Sequence, residues 1–220
     1  MRNYHAHLKD KPITEREADG SYIRASRIRK NNAAGGIPGK TLIIDVDRGT
    51  SVLPQDCDAD IVRLDEDLSN LKDILTELQD KCEYDNIAVD SLSELERGML
   101  TVLGRLGKNN GAPELVHYQQ ADFKLIDYCR QFRSLDANII FTAWESLGEV
   151  ISTEGEKYTQ ARPMLRNKTV DNVCGLCDVV GEIVISAKDG NRYVRLSGDA
   201  NTVAKDRVKK RQFCIFEELI

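Results

Sequence analysis

The chain has 220 residues, which is long enough for one sizeable α/β domain, although two small ones are possible. Its 41% hydrophobic and 30% charged side chains are ordinary for a soluble globular protein, and its formal net charge is −5. No apolar run is long enough to cross a bilayer, and the opening residues MRNYHAHLKD contain no apolar signal region. The composition therefore argues against a membrane protein or a membrane partner and predicts a cytoplasmic location.

The charges are unevenly distributed along the chain. Residues 56–85 carry eleven acids and three bases, whereas residues 21–30 carry four bases and no acid. Residues 204–211 carry five bases and one acid. If the protein binds a polyanion, we expect these two basic segments to make the contact. Exposed charge is also common on surfaces that bind no partner, so both interpretations stay open.

The six cysteines show no disulfide-like spacing, and a cytosolic protein keeps them reduced. Cys174 and Cys177 are the only close pair. A structural zinc site needs a second pair or histidines at metal spacing, and the three histidines lie far away in the sequence. We rank a zinc or redox role below that of small, partly buried thiols.

The chain begins with a polar segment. Residues 1–33 are poor in large apolar side chains, which indicates an amino-terminal extension with a short helix over residues 22–30. The folded α/β domain is therefore assigned to residues 34–220.

The domain opens with AGGIPGKT, a loose spelling of a phosphate-binding P-loop. Gly39, Lys40 and Thr41 are the candidate phosphate-binding residues of this stretch. Polar residues precede it, Pro38 lacks a backbone N–H, and a strand over residues 41–47 follows where a P-loop requires a helix. A turn that leads into a buried strand is favoured over a working P-loop.

The middle of the chain alternates between helix and strand patterns. Five leucines recur at alternating spacings of four and three residues and predict a helix over residues 65–82, with acids in its first turn. A short apolar strand then ends in Asp90 and Ser91, and Ser91 or Ser93 caps the following helix. This strand covers residues 87–89, and the other predicted elements here are a helix over 118–135 and a strand over 138–143.

The last third of the chain has the pattern of antiparallel hairpins. Short strands surround a turn at Glu154 and Gly155, and residues 178–198 form a strand, a turn and a second strand. Alternating strands and helices followed by hairpins predict an α/β fold with a mainly parallel sheet, flanked by helices and extended at one side by antiparallel strands.

Polar side chains follow three of the apolar strands. Because ligands bind at the carboxyl ends of strands in an open parallel sheet, we expect these side chains to share one crevice. Carboxylates there can hold Mg²⁺ through water and position an attacking water, as nucleotide hydrolysis requires. The residues are Asp45 and Asp47 on the first strand, Asp90 and Ser91 on the second, and Thr142 and Glu145 on the third.

Four segments follow one another along the chain: GKTLIIDVDRG, NIAVDSLSEL, NIIFTAWE, and DVVGEIVISAKDGNRYVRL with a later AKDR. Together they resemble motifs of the RecA-like P-loop ATPases of bacteriophages, which are associated with single-strand annealing and recombination. In the order given, the segments correspond to the family's second strand, its Walker B strand, its sensor strand, and its carboxyl-terminal hairpin with the basic motif. The resemblance covers residues 37–211 and implies a RecA-like P-loop NTPase core. The Walker A strand, loop and helix, which precede the second strand in that family, are not evident in this chain.

The resemblance implies roles for the acids. Asp90 corresponds to the Walker B acid that orients Mg²⁺ through water, and Ser91 lies beside it. Asp47 corresponds to the acid that activates the attacking water, and Asp45 is the second candidate for that position. Judged by residue type and position alone, without the resemblance, each of these residues also fits a structural role as a helix cap or in a turn.

The sensor strand and the basic motif carry the remaining implied roles. Thr142 corresponds to the sensor position, but Trp144 and Glu145 stand where the family often has a polar amide or histidine. Lys205 and Arg207 of AKDR are expected to reach the phosphates of a neighbouring subunit or to contact DNA.

Taken together, the resemblance implies an ATP- and Mg²⁺-dependent protein, an ATPase by ancestry, that acts on single-stranded DNA in recombination or replication as a homo-oligomer in the host cytoplasm. The alternative is a degenerate, non-hydrolysing RecA-like scaffold that works as a DNA-binding or assembly module. A zinc- or thiol-dependent enzyme around Cys174 and Cys177 ranks below both.

Overall fold

The computed structural model describes residues 17–27, 39–52, 58–215 and 218–219. Four helices, α1 to α4, lie at Leu71–Asp80, Leu92–Leu106, Leu115–Ser134 and Asn167–Leu176, and a short 3-10 helix lies at Gly49–Val52. The strands β1 to β10 are Glu17–Arg27, Thr41–Asp45, Ala59–Arg63, Asn86–Asp90, Asn138–Ile151, Lys157–Pro163, Val179–Ile185, Arg192–Arg195, Lys205–Asp206 and Phe213–Cys214.

All described strands belong to one sheet in the order β10-β8-β7-β1-β5-β4-β2-β3. The two remaining strands pair with members of this series, β6 with β5 and β9 with β7. The strands β3, β2, β4 and β5 run parallel, and β1 is antiparallel to both β5 and β7. The strand β7 therefore runs in the same direction as β5, and β8, β9 and β10 extend the sheet with antiparallel pairs. The predicted fold class, a mainly parallel sheet flanked by helices with antiparallel strands at the carboxyl-terminal side, is confirmed.

The strand β1 lies in the segment assigned to the polar extension. The helix predicted over residues 22–30 is wrong for the part that the structure describes, because this backbone pairs with β5 on one side and β7 on the other. Residues 28–38 lie outside the described residues. Part of the assigned extension thus contributes to the sheet, and the residue at which the domain begins stays a prediction.

Several predicted element boundaries differ from the structure. The strand predicted over residues 41–47 ends at Asp45, so Asp47 lies in the turn that follows it. The helix predicted over residues 65–82 begins only at Leu71, because Leu68 adopts a left-handed backbone conformation with φ of 58°, which an α-helix does not tolerate. The strand predicted over residues 138–143 continues to Ile151, since its second half pairs with β6 in a projecting hairpin.

The main core lies between the sheet and the helices. Helix α1 buries Leu71, Leu75 and Leu78 on one face, as the leucine spacing predicts. Phe132 of α3 meets Phe141 of β5 edge to face, with ring centroids 6.1 Å apart and an interplanar angle of 76°. Burying a side chain of this size contributes about 1.5–3 kcal/mol relative to leaving it in water.

A polar ladder crosses the amino ends of three parallel strands. Asn138 Nδ2 donates to Asn86 Oδ1 at 2.8 Å, and Asn86 Nδ2 donates to Thr41 Oγ1 at 3.3 Å. These bonds pair the first residues of the three strands and help to set the parallel register. The same register aligns Asp45 with Asp90 at the carboxyl edge of the sheet.

Among the described residues, no helix has the length and apolar character that a bilayer crossing requires.

Candidate functional site

The centre of the candidate site is a hydrogen-bonded pair on two neighbouring strands. Asp90 is the last residue of β4, and its Oδ1 accepts a hydrogen bond from the hydroxyl of Thr142 on β5. The same hydroxyl lies 3.4 Å from the carbonyl oxygen of Val89. Both Asp90 and Thr142 are half-buried, so each remains accessible from solvent. The structure thus brings together two residues that the strand-end argument predicts to be neighbours.

Asp45, on the other side of Asp90, is fully buried. Its Oδ2 accepts a hydrogen bond from Thr50 Oγ1 and lies 3.5 Å from Arg63 Nε. Its Oδ1 is buried and has no hydrogen-bond partner among the described residues. The sequence pattern did not single out Thr50 or Arg63, because the 3-10 turn after β2 and the end of β3 bring them to Asp45 only in the folded chain.

Asp47 lies in the exposed turn after β2 and accepts a hydrogen bond from the backbone N–H of Gly49 at 3.0 Å. Partial loss of solvent raises the pKa of Asp47, and the negative charges of Asp90, Asp45 and Glu94 raise it further against the opposing hydrogen bond from Gly49. The perturbation indicates that the acids at the ends of β2 and β4 share one electrostatic environment. Asp47 is accordingly a stronger proton acceptor than an ordinary surface carboxylate.

Ser91 is buried at the start of α2 and acts as its N-cap, since its hydroxyl accepts from the backbone N–H of Glu94 at 3.4 Å. The peptide bond between Asp90 and Ser91 is cis. Of the two predicted caps, Ser91 is the N-cap, and its hydroxyl is engaged in holding α2 directly after the acid-ended strand β4.

Trp144, two residues beyond Thr142, connects the site to α2. Its backbone N–H donates to Ser93 Oγ at 3.0 Å, and that hydroxyl donates to the carbonyl oxygen of Met164 at 2.9 Å. The guanidinium of Arg97 lies 4.6 Å from the indole centroid, a cation–π distance. Glu145 pairs with Pro163 of β6, so β5 continues as a strand beyond Thr142, the residue at the sensor position.

Lys40 lies at the amino end of β2 and is occupied by local contacts. Its Nζ is 3.2 Å from Asp60 Oδ2 and 4.5 Å from the ring centroid of Tyr84, whose hydroxyl donates to the same Asp60 oxygen at 2.9 Å. The hydrogen bond with Asp60 raises the pKa of Lys40. Four residue steps along the strand, about 13 Å, separate Thr41 from Asp45, so Lys40 and the acids lie at opposite edges of the sheet.

Gly39 and Thr41 likewise serve the start of β2. Gly39 has φ of 101°, and a Cβ there would lie 2.5 Å from Asp85 Oδ2, the atom that accepts from the Lys40 backbone N–H at 3.0 Å. Thr41 Oγ1 accepts from Asn86 in the polar ladder. The glycine requirement comes from this close approach to Asp85, and the three residues Gly39, Lys40 and Thr41 are not brought to Asp90.

The direction of β1 bears on the missing Walker A unit. Its pairing matches Ser21 with Trp144 and Arg27 with Ile139, so β1 runs from the acid edge toward the amino edge of β5. A strand that delivers a phosphate-binding loop to the acids must run the other way. None of the described residues forms a strand, loop and helix of that kind, and the stretch 34–38 of the loose P-loop lies outside them.

Lys205 and Arg207 lie far from Asp90 in the same chain. Lys205 of β9 pairs with Val180 of β7, on the side of β7 that faces away from β1. Four strand spacings, about 19 Å, therefore separate β9 from β4. The contact of these two bases with the phosphates of a neighbouring subunit or with DNA stays a prediction.

We tested whether the acids fit the Mg²⁺ ion that the resemblance implies. Among the described residues, no group of three or more His, Cys, Asp or Glu side chains is arranged to hold a metal ion directly, Cys174 and Cys177 included. A hydrated Mg²⁺ needs only oxygen acceptors for its water ligands. The buried, unpartnered Oδ1 of Asp45 and the concentration of negative charge around Asp47 and Asp90 fit such an ion.

Comparisons with known proteins identify the family of the chain. A family model described as an AAA domain matches residues 30–208. No curated protein and no solved structure matches the chain. The family match covers most of the chain and includes the acid-ended strands β2 and β4, the strand β5 and the basic motif. The chain therefore belongs to the AAA domain family of P-loop ATPase-like proteins.

Proposed function

We propose that this protein is a phage-type RecA-like protein that binds ATP with Mg²⁺ at the carboxyl edge of its parallel strands and acts on single-stranded DNA in recombination or replication as a homo-oligomer. The observation that carries the nucleotide part is the Asp90–Thr142 pair, with Asp45 aligned beside it on the neighbouring parallel strand. Acid-ended parallel strands are where open α/β sheets bind nucleotides.

The residues have distinct roles in this proposal. Asp90 orients the water shell of Mg²⁺, and Thr142 holds its carboxylate in position. Asp47, with its raised pKa, accepts a hydrogen bond from the water that attacks the γ-phosphate. When bound, Mg²⁺ neutralises the charge that the phosphates bring to these acids.

A second function is favoured by a specific observation. Lys40, the candidate phosphate lysine, contacts Asp60 and Tyr84 at the opposite edge, and β1 runs in the direction that does not deliver a P-loop. Without a phosphate cradle, the acids repel a polyphosphate. A non-hydrolysing scaffold that keeps the sheet for DNA binding or assembly is therefore the alternative.

Titration with ATP and Mg²⁺ separates the two functions. Trp144 is the only tryptophan and lies two residues from Thr142, so its fluorescence should report binding at the acids. We expect a saturable change that Asp90→Asn abolishes and that Lys40→Ala, at the opposite edge, retains. Saturation at about one hundred times Kd should also stabilise the fold by about 2.7 kcal/mol, a thermal shift of about 6 °C.

The outcomes discriminate clearly. Absence of both the fluorescence change and the thermal shift in the intact chain would favour the scaffold. Loss of binding in Lys40→Ala, with its melting temperature unchanged, would make Lys40 the phosphate lysine and contradict the assignment of the site to the carboxyl edge.

A further inference from the structure

A single buried carboxylate organises the turn over residues 206–211. Asp206 Oδ1 accepts from the backbone N–H groups of Val208 and Lys209, both at 2.9 Å. Its Oδ2 accepts from Arg211 twice, from the backbone N–H at 3.2 Å and from Nε at 2.7 Å. The Asp206 side chain is fully buried, so the only acid of the turn points inward.

Arg211 also points inward. Its Nη1 donates to the carbonyl oxygen of Glu218, and its Nη2 donates to that of Leu219 at 3.3 Å. The backbone N–H of Arg207 donates to the carbonyl oxygen of Asp178 at 3.0 Å, which anchors the other end of the turn to the start of β7. The turn is therefore held at both ends and at its centre.

The outward face of this turn carries only cations and one apolar side chain. Arg207, Lys209 and Lys210 are exposed, Lys205 is half-buried at its edge, and Val208 is 39% exposed. None of these four bases forms a salt bridge with any residue that the structure describes. Burial lowers the pKa of Lys205 and repulsion from Arg207 lowers it further, while the nearby Asp178 acts in the opposite direction.

We infer that the turn over residues 206–211, together with Lys205, is a preformed surface that binds the phosphodiester backbone of single-stranded nucleic acid. The inference rests on the proposed action on single-stranded DNA and assigns that action to one surface. Arg207, Lys209 and Lys210 are exposed within four consecutive residues of a backbone that Asp206 fixes, a spacing that suits repeated phosphates, whereas a single nucleotide phosphate needs a convergent pocket.

A nucleic acid fits this surface better than an acidic protein does. Protein interfaces bury an apolar core, and within the turn Val208 is the single exposed large apolar side chain. Nucleic-acid interfaces are more polar and more strongly positive. The chain as a whole carries −5, so a polyanion should approach preferentially where the bases are concentrated.

The test uses the full chain and labelled oligothymidylate, with fluorescence anisotropy measured over a range of salt concentrations. In the triple variant Arg207→Gln, Lys209→Gln and Lys210→Gln, we expect affinity to fall at least about tenfold at low salt. The slope of log K against log salt should fall by about 2, since each phosphate contact on a single strand contributes about 0.7. A variant with Lys72→Gln, Lys124→Gln and Arg133→Gln removes the same charge from exposed positions on α1 and α3 and should bind like the unmodified chain.

A further variant distinguishes a preformed surface from simple charge. Asp206→Ala removes a negative charge, so a purely electrostatic contact would bind more tightly. If the turn must be organised, affinity should fall several-fold despite the added positive charge. Asp206→Asn keeps one acceptor oxygen for the two backbone N–H groups and should lie between Asp206→Ala and the unmodified chain. Thermal melting shows which variants are folded, and the triple variant changes only exposed side chains.

Three results would overturn the inference. Equal losses in the two triple variants would mean that binding follows net charge and leave the proposed DNA function standing. Binding of the turn to polyglutamate but not to oligothymidylate would make it an acidic-protein site. Absence of oligothymidylate binding in the unmodified chain would refute both the inference and the proposed action on DNA, while ATP binding at Asp90 is measured independently through Trp144.

Discussion

Replacing Gly39 by alanine tests whether the Gly-Lys-Thr stretch begins a strand or cradles a phosphate. At φ of 101°, an alanine is strained by about 1–2 kcal/mol. Its Cβ would lie 2.5 Å from Asp85 Oδ2, which displaces the acceptor of the Lys40 N–H bond and costs about 1 kcal/mol more. We expect a total loss of about 2–3 kcal/mol in the free energy of unfolding, which for a chain of this size is about 4–7 °C in melting temperature.

Gly111 offers the matched control. Its φ is 85°, and a Cβ there has no heavy atom within 4 Å, so Gly111→Ala isolates the cost of the backbone conformation. Calorimetry or urea denaturation should therefore show Gly39→Ala to be less stable than Gly111→Ala by about 1 kcal/mol, with ATP binding retained in both. A Gly39→Ala variant that melts normally but no longer binds ATP would refute the reasoning.

Three further predictions concern the site and the core. Asp47→Asn should raise the melting temperature at pH 7, because a carboxyl whose pKa is raised by folding destabilises the folded state when ionised. The gain in melting temperature should shrink as the pH falls through the raised pKa of Asp47, and it should vanish below the ordinary value near 3.8, where Asp47 is protonated in the folded and unfolded chain alike. A gain that is the same at every pH would contradict this prediction. Thr142→Val removes the hydrogen bond to Asp90 and should weaken Mg²⁺-dependent ATP binding by about tenfold in the Trp144 titration, without the same loss for ATP in EDTA. Leu75→Ala should lower the free energy of unfolding in urea by about 2–5 kcal/mol, whereas Leu147→Ala, at a position 66% exposed, should change it by less than about 0.5 kcal/mol.

Much of the α/β architecture was predictable because its signals are local. The leucines of α1 repeat with the helical period, so their burial follows from spacing alone. The acids that follow β2 and β4 were predictable because short apolar runs followed by Asp are typical of strand ends, although β2 stops at Asp45 and leaves Asp47 in the turn. The neighbouring positions of Asp90 and Thr142 then follow from parallel strand order.

The strand β1 and the contacts of Asp45 were not predictable in the same way. Residues 17–27 lack the apolar run of a central strand, and their pairing with β5 and β7 depends on partners more than a hundred residues away. Thr50 and Arg63 reach Asp45 only after the 3-10 turn and β3 are in place. Similarly, nothing in the AKDR motif shows that its aspartate turns inward and leaves the cations outside.

The amino-acid sequence by itself determined the alternation of strands and helices and the chemistry carried at the strand ends, because both depend on residues that are close together in the chain. Only the tertiary structure decided which of those chemical groups meet. Gly39 and Lys40 lead into the strand that Thr41 begins and Asp45 ends, yet they lie at the opposite edge of the sheet from Asp45, since a strand separates its two ends by its full length. The direction of each strand, set by pairing with distant partners, determines which residues share the edge with Asp90.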